Sequence, residues 1–225
     1  MKLRYFSHSA FQITTSKGIV ILIDPFLDDN PTSPVKSDQV RADYIILTHA
    51  HGDHIGDSFK IAKKNNALII CVFELANYCS SKGFNTHGMH IGGSHEFDFG
   101  RIKFTIAHHG AVTPDNTYGG VAAGVLITSD GKTIYHTGDT GLFYDMKLIG
   151  EMNKINYMLL PIGDNYTMGI TDAIKAIELV NPDFAIPMHY NTFPIINADP
   201  NNFKEQAESK GMKVKILNFG EEIEL

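Results

Sequence analysis

The chain has 225 residues, 43% of them hydrophobic, and 25 acidic against 19 basic side chains leave a net charge of −6. That length and apolar content suffice for one enzyme-sized domain with its own core, and nothing between its motifs reads as a linker, so residues 1–225 are read as a single domain. The charge balance excludes a large basic nucleic-acid surface, no apolar run reaches the ~18 residues of a membrane span, and Met1 to Phe6 lacks a signal-peptide core, which together predict a cytoplasmic protein.

In chain order, Leu3 to Phe6, Ala10 to Thr14, Ile19 to Ile23, Tyr44 to Leu47 and Leu68 to Val72 are β-branched or aromatic runs bounded by turn residues, the pattern of strands. Further strands are predicted at Ile102 to Ile106, Val121 to Thr128, Thr133 to His136, Ile155 to Leu160, Phe184 to Pro187 and Val214 to Leu217. Helices interleave with them. Ala173, Ile174, Ala176, Ile177 and Val180 form an apolar stripe at helical spacing, with Thr171 as N-cap and Pro182 beyond the end. Asp199-Pro200 opens a later helix, a capping residue followed by proline in the first turn, and Gly211 can close it. The two cysteines, Cys71 in a strand-like run and Cys79 in a helix-like one, read as buried thiols in a reducing compartment rather than as ligands or a disulfide.

The chemistry concentrates in His49-Ala50-His51-Gly52-Asp53-His54, directly after the apolar run Tyr44 to Leu47. A buried strand would hold this loop rigidly, while imidazole and carboxylate offer nitrogen and oxygen donors suited to zinc, manganese or iron. In an extended segment residues two apart project the same way, so His49 and His51 can pinch one ion. Gly52 lets the chain turn and sends Asp53 and His54 toward a second.

This motif resembles the signature of the metallo-β-lactamase superfamily, and the rest of the chain follows in that superfamily's order. Ile19 to Pro25 looks like its strand ending in an aspartate, Asp24, and His109 in Thr105 to Gly110, Asp139 in Tyr135 to Thr140 and His189 in Ile186 to Tyr190 look like the remaining ligand positions. Several longer stretches, Ile23 to Phe26, His90 to Gly100, Pro161 to Asn165 and Pro187 to Pro194, resemble a prokaryotic branch described only as metal-dependent hydrolases and similar to ascorbate-phosphate lactonases. The resemblance implies a four-layer αββα sandwich of the α/β class, its two sheets sharing a core, helices on the outer faces and metals in loops at one edge.

It also implies two divalent transition-metal ions, zinc or manganese with iron as a further option. His49, His51 and His109 would hold the first, Asp53, His54 and His189 the second, and Asp139 would bridge them. Coordination lowers the pKa of bound water toward ~7, so a metal-bound hydroxide would be the nucleophile, with Asp53 orienting it and accepting a proton. Asp24 is read as a hydrogen-bonding support of the ligand loops, and His136 as a brace for the Asp139 loop. His8, after the first strand, either lines the pocket or makes a structural hydrogen bond. Alternation along Ile102, Phe104 and Ile106, run on to His108, places that side chain on the apolar face as a packed neighbour of His109. His87, His90 and His95 read as surface or turn residues. Asp164, Tyr190 and Asn191 follow predicted strands toward the metals and are candidate substrate-binding residues, with loop fixation as their alternative role.

The reaction expected is hydrolysis of a small ester, lactone or phosphodiester, by a chain that needs no membrane and leaves a homo-oligomer open. A nuclease acting on RNA or short oligonucleotides is the alternative, disfavoured by the acidic charge, and a non-catalytic metal-binding or partner-binding protein is the reading from another class. His51 argues against a redox di-iron variant, which replaces part of this ligand set with carboxylate.

Overall fold

The computed structural model describes residues 1–225 and contains two mixed β-sheets flanked by helices. The first sheet comprises β1 (Lys2–Ser7), β2 (Ala10–Thr14), β3 (Val20–Ile23), β4 (Tyr44–Ile46), β5 (Leu68–Val72), β6 (Thr86–Met89) and β13 (Glu222–Glu224), in the order β13-β1-β2-β3-β4-β5-β6. The second comprises β7 (Ser94–Phe97), β8 (Gly100–Ile106), β9 (Ala123–Ser129), β10 (Lys132–His136), β11 (Tyr157–Pro161) and β12 (Phe184–Met188), in the order β12-β11-β10-β9-β8-β7.

Period-two alternation sorts the strand residues between two apolar layers. Val125 and Ile127 of β9, Ile134 of β10 and Leu159 of β11 face the first sheet and pack with Leu3, Tyr5, Phe11 and Ile23. Their neighbours Leu126, Tyr135, Met158 and Leu160 point the other way, against α4 (Met146–Met152), α5 (Ile170–Val180) and α6 (Pro200–Ser209), which contribute Met146, Ile174, Ile177, Phe203 and Ala207. Each fully buried side chain of this kind contributes about 1.5–3 kcal/mol over leaving it in water. On the far side of the first sheet, α2 (Ser58–Asn65) and α3 (Phe73–Ser81) bury Ile61, Leu75 and Cys79. Cys71 and Cys79 are both buried free thiols. No helix is long and apolar enough to cross a membrane.

Three expectations change. The apolar stripe of α5 is as read, but the N-cap is Gly169, and Thr171 already lies in the first turn. Val214 to Leu217 forms no strand, because its ladder to β12 is limited to the isolated bridge of Val214 with Ala185. The edge strands β6, β7 and β13 are too polar for an apolar pattern to reveal them. The Asp199 cap is as expected, its carboxylate accepting from Asn201 N at 2.9 Å.

Strand direction places the site. β1 and β3 are both antiparallel to β2, and β4 runs parallel to β3, so these three end on the same edge of the first sheet. β8 and β10 are both antiparallel to β9, with β11 and β12 parallel to β10, so all four end on one edge of the second. The segments that follow β1, β3, β4, β8, β10 and β12 carry His8, Asp24, His49 to His54, His109, Asp139 and His189. Two backbone hydrogen bonds tie the edges together: Ala123 N to Thr48 O at 3.0 Å and His189 N to His8 O at 2.7 Å.

Candidate metal centre

After β4 the chain bends at Thr48 and reaches His51, an extended residue at the N-cap position of the short helix α1 (Gly52–Ile55), so Asp53 and His54 leave from a helical turn. Three site residues, His8, Asp24 and His189, hold left-handed backbone at φ 54°, 44° and 54°. Such strain outside glycine persists only where the surroundings over-determine it, and it gathers at functional sites. Before Asp139, Gly138 turns at φ 64°, and a Cβ there would stand 2.4 Å from Ala123 O.

The donor atoms form three overlapping groups, each within 4.8 Å: His49, His51 and His109; His49, His54 and Asp139; and His8, Asp53, His54 and His189. Asp139 sits at the junction. Its Oδ2 lies 3.0 Å from His189 Nε2, 3.2 Å from His54 Nε2 and 3.7 Å from His109 Nε2.

Hydrogen bonds fix which nitrogens face inward. Asp24 is buried, and its Oδ1 accepts from Thr48 N at 2.9 Å while its Oδ2 accepts from the Thr48 hydroxyl at 2.6 Å. That spends the hydroxyl proton, so Thr48 Oγ1 can only accept from His49 Nδ1 at 3.1 Å. His49 Nε2 is therefore a bare lone pair, aimed at His51 Nδ1 3.0 Å away. His54 Nδ1 likewise donates to Asp24 Oδ2 at 2.7 Å, which turns Nε2 toward Asp139; against the effect of burial, Asp139 and Asp24 raise the pKa of this ring, so Nε2 holds a proton that an ion would displace. Buried His54 Nε2, Asp139 Oδ1 and His189 Nδ1 make no hydrogen bond. An unsatisfied buried polar atom costs about 1–3 kcal/mol, a cost that a cation held among these nitrogen and oxygen donors would remove. The donor set thus fits divalent cations.

The electrostatics agree. Burial holds the imidazoles of His49, His51 and His109 below their ordinary pKa, which keeps them neutral as ligation requires. Asp139 is buried, which opposes its charge, yet the adjacent His189 and His54 hold its carboxyl well below the usual carboxylate range. Asp53 is depressed in the same way by the His8 hydrogen bond and the charge of His54, against the effect of burial.

Around the donors, His136 donates from Nε2 to Ser9 O at 3.0 Å and accepts from Gly138 N at 3.1 Å. Nδ1 thus holds the Asp139 loop, while Nε2 ties it to the turn between β1 and β2 on the other sheet. His8 is buried, and burial pushes it down to about 4. His108 corrects the alternation argument: β8 ends at Ile106, so His108 is exposed and stacks on Phe143 at 4.7 Å between ring centroids. His90 and His95 are exposed and His87 half-buried, His87 and His95 facing each other at 4.3 Å.

Of the candidate substrate residues, Tyr190 is 4% exposed and packs toward Phe219 in the core, because the left-handed turn at His189 sends the next side chain inward; this corrects its assignment to the pocket. Asn191 accepts from Ala198 N at 2.9 Å and closes its own loop. Asp164 accepts from Asn165 N and lines an open cavity of about 530 Å³ with Gly169, Ile170, Asp172 and Asp199. None of the histidines lines that cavity, so size does not single out the reactive site. Thr48 and Thr192 escaped the sequence reading. Thr48 precedes His49 and Thr192 follows His189 by three, but a lone threonine carries no pattern of its own.

Two sheets with a His and Asp cluster at the ends of their strands define the class of metallo-β-lactamase-fold, metal-dependent hydrolases. Residues 20–190 match the beta-lactamase superfamily domain. A relative from Bacillus cereus (strain G9842), named as a UPF0173 metal-dependent hydrolase, is 52% identical over 230 residues, covering 100% of both chains. The chain belongs to this UPF0173 metal-dependent hydrolase family. The solved structure of Igni18, described as a novel metallo hydrolase from Ignicoccus hospitalis, is 41% identical with a TM-score of 0.91, covering 100% of this chain and 98% of that one. An isothiocyanate hydrolase from Delia radicum gut bacteria shares the fold at 23% identity and a TM-score of 0.79, covering 100% of this chain and 99% of that one.

Proposed function

We propose that the protein hydrolyses a small ester, lactone or phosphodiester with two divalent ions, zinc or manganese or alternatively iron, held at this edge. The observation that carries the reading is Asp139 Oδ2, which lies within 3.7 Å of Nε2 of His189, His54 and His109 and so stands between both donor groups. His49, His51 and His109 would hold one ion, Asp53, His54 and His189 the other, with Asp139 shared. Bound there, the ions would supply an activated water and polarise a carbonyl or phosphoryl oxygen.

The chain's own residues do the rest. Asp24 fixes the His54 ring through Nδ1, and Thr48 fixes His49 the same way, so both rings keep Nε2 turned toward the place of the ions. Asp53 acts as a ligand. Its ionised carboxylate would also orient the bound water and accept a proton from it. Phe26 and Phe193, with ring centroids 6.4 Å apart, flank His8 and give that side of the site an apolar wall suited to a small organic substrate.

The test is metal analysis of protein purified without added metal, followed by a panel of lactones, carboxylic esters, phosphodiesters and long RNA, each with and without chelator. Chelator-sensitive turnover of small substrates is expected. Efficient cleavage of long RNA alone would replace this reading by a nuclease, and no metal-dependent turnover in any class would favour a binding protein.

A further inference from the structure

His8 touches the donor set without belonging to the histidine motif. Its ring is fully buried, edge-on to Phe26 and Phe193 and 4.1 Å from the His189 ring between centroids. Both ring nitrogens are engaged: Nε2 lies 3.2 Å from Asp53 Oδ2 and Nδ1 lies 3.0 Å from Thr192 Oγ1. A carboxylate only accepts, so the proton is on Nε2. Nδ1 then accepts the Thr192 hydroxyl proton, which has no other acceptor. The backbone is held as firmly, since His8 O accepts from Tyr5 Oη at 3.0 Å and from His189 N at 2.7 Å. His8 is also the one protein donor to the Asp53 carboxylate.

We propose that His8 is the positioning residue for Asp53: its Nε2–H holds Oδ2 of that carboxylate, and the Thr192 hydroxyl locks the tautomer by donating to Nδ1. The proposal rests on the reading of Asp53 as a ligand of the second ion. Asp53 is the only donor of its group with its side chain one-third exposed, and it comes from a four-residue helix, so it needs a fixed partner more than the buried histidines do. His189 and Thr192 lie on one segment, so that segment supplies a second-group donor and also fixes the orientation of another.

The test uses the full-length protein, metal-free and then titrated with zinc against a competing chelator. His8→Gln retains a donor where Nε2 stood. His8→Asn suits the left-handed backbone and keeps the Thr192 contact but cannot reach Asp53. The expected result is wild-type-like affinity at both steps for His8→Gln and a loss of about 10- to 100-fold at one step only for His8→Asn. Equal losses in the two variants, or none in either, would overturn the proposal. Thr192→Val, which removes only the hydroxyl, gives the second line, read with ¹⁵N-histidine spectra. Wild-type His8 should be protonated at Nε2 in both metal-free and zinc-loaded protein, and Thr192→Val should broaden or shift its signals. A His8 protonated at Nδ1, or one that gives up the Nε2 proton on zinc loading and so ligates directly, overturns positioning. A wild-type chain that binds a single zinc ion would sink the dinuclear reading by itself, while the tautomer measurement still decides the role of His8.

Discussion

The Asp24 carboxylate only accepts, and three donors converge on it: Thr48 N, Thr48 Oγ1 and His54 Nδ1. Asp24→Asn keeps the shape and tolerates the left-handed backbone, but its amide nitrogen must face one of those donors. Stranding buried donors costs about 1–3 kcal/mol each, so a loss on the order of 3 kcal/mol is expected in urea unfolding of the metal-free protein. A chelator-competition titration should show zinc affinity falling about 10- to 100-fold, since the His54 ring loses its orienting partner. An Asp24→Asn variant equal to wild type in both measurements contradicts the network. His136 gives a pH signature of its own. Burial lowers its pKa, so in the unfolded chain the imidazole takes up a proton near 6.5 that the native state refuses. Its contribution is complete above about pH 6.5 and is lost as pH falls toward the lower native value. His136→Gln should therefore flatten the decline in stability between pH 7 and pH 5, measured by urea unfolding at each pH. An unchanged slope would mean that His136 carries its proton in the folded state too.

At the level of elements, the ends of β11 and β12 are packed without slack. A Cβ at Gly163 would stand 2.2 Å from His189 O and 3.0 Å from Ile196 Cβ, both rigidly placed. Gly163→Ala should cost about 1–3 kcal/mol by overpacking and should weaken metal binding as well, because the displaced group is the backbone that carries His189. Gly141→Ala, with nothing within 4 Å of the added methyl, should change neither. Paired thermal melts and zinc titrations check both variants. The same turns explain what the sequence could and could not tell. The run from His49 to His54 was legible because donor types at fixed spacing follow a strand, and β3, β4 and β5 because their apolar runs are continuous. Asp164, Tyr190 and Asn191 were placed by connectivity, which carries no handedness. The left-handed residues at 164, 189 and 191 decide where those side chains go, and none of them departs from ordinary turn composition. The pairing of His8 with Asp53 spans 45 positions and joins two separate strand ends, a contact that no local pattern encodes.

For the molecule as a whole, the fold brings the donor groups together and buries the carboxylates of Asp24 and Asp139 among histidines. An ion that binds the folded chain and not the unfolded one stabilises it by about 2.7 kcal/mol at one hundred times its dissociation constant. The melting temperature should therefore climb with free zinc or manganese and drop on chelation. A melting temperature indifferent to both would show that the cluster is not a metal site under those conditions.

The cross-sheet hydrogen bonds Ala123 N to Thr48 O and His189 N to His8 O put the two halves of the donor set on different β-sheets. The centre is in that respect a rivet through a joint, and a rivet feels any slip between the plates. By reciprocity, whatever an ion adds to the hold between the sheets, a shear between them takes from its binding. Metal affinity is then a gauge of core registry, and trimming Phe104 or Ile127 between the sheets should loosen the ion although neither side chain belongs to a donor group.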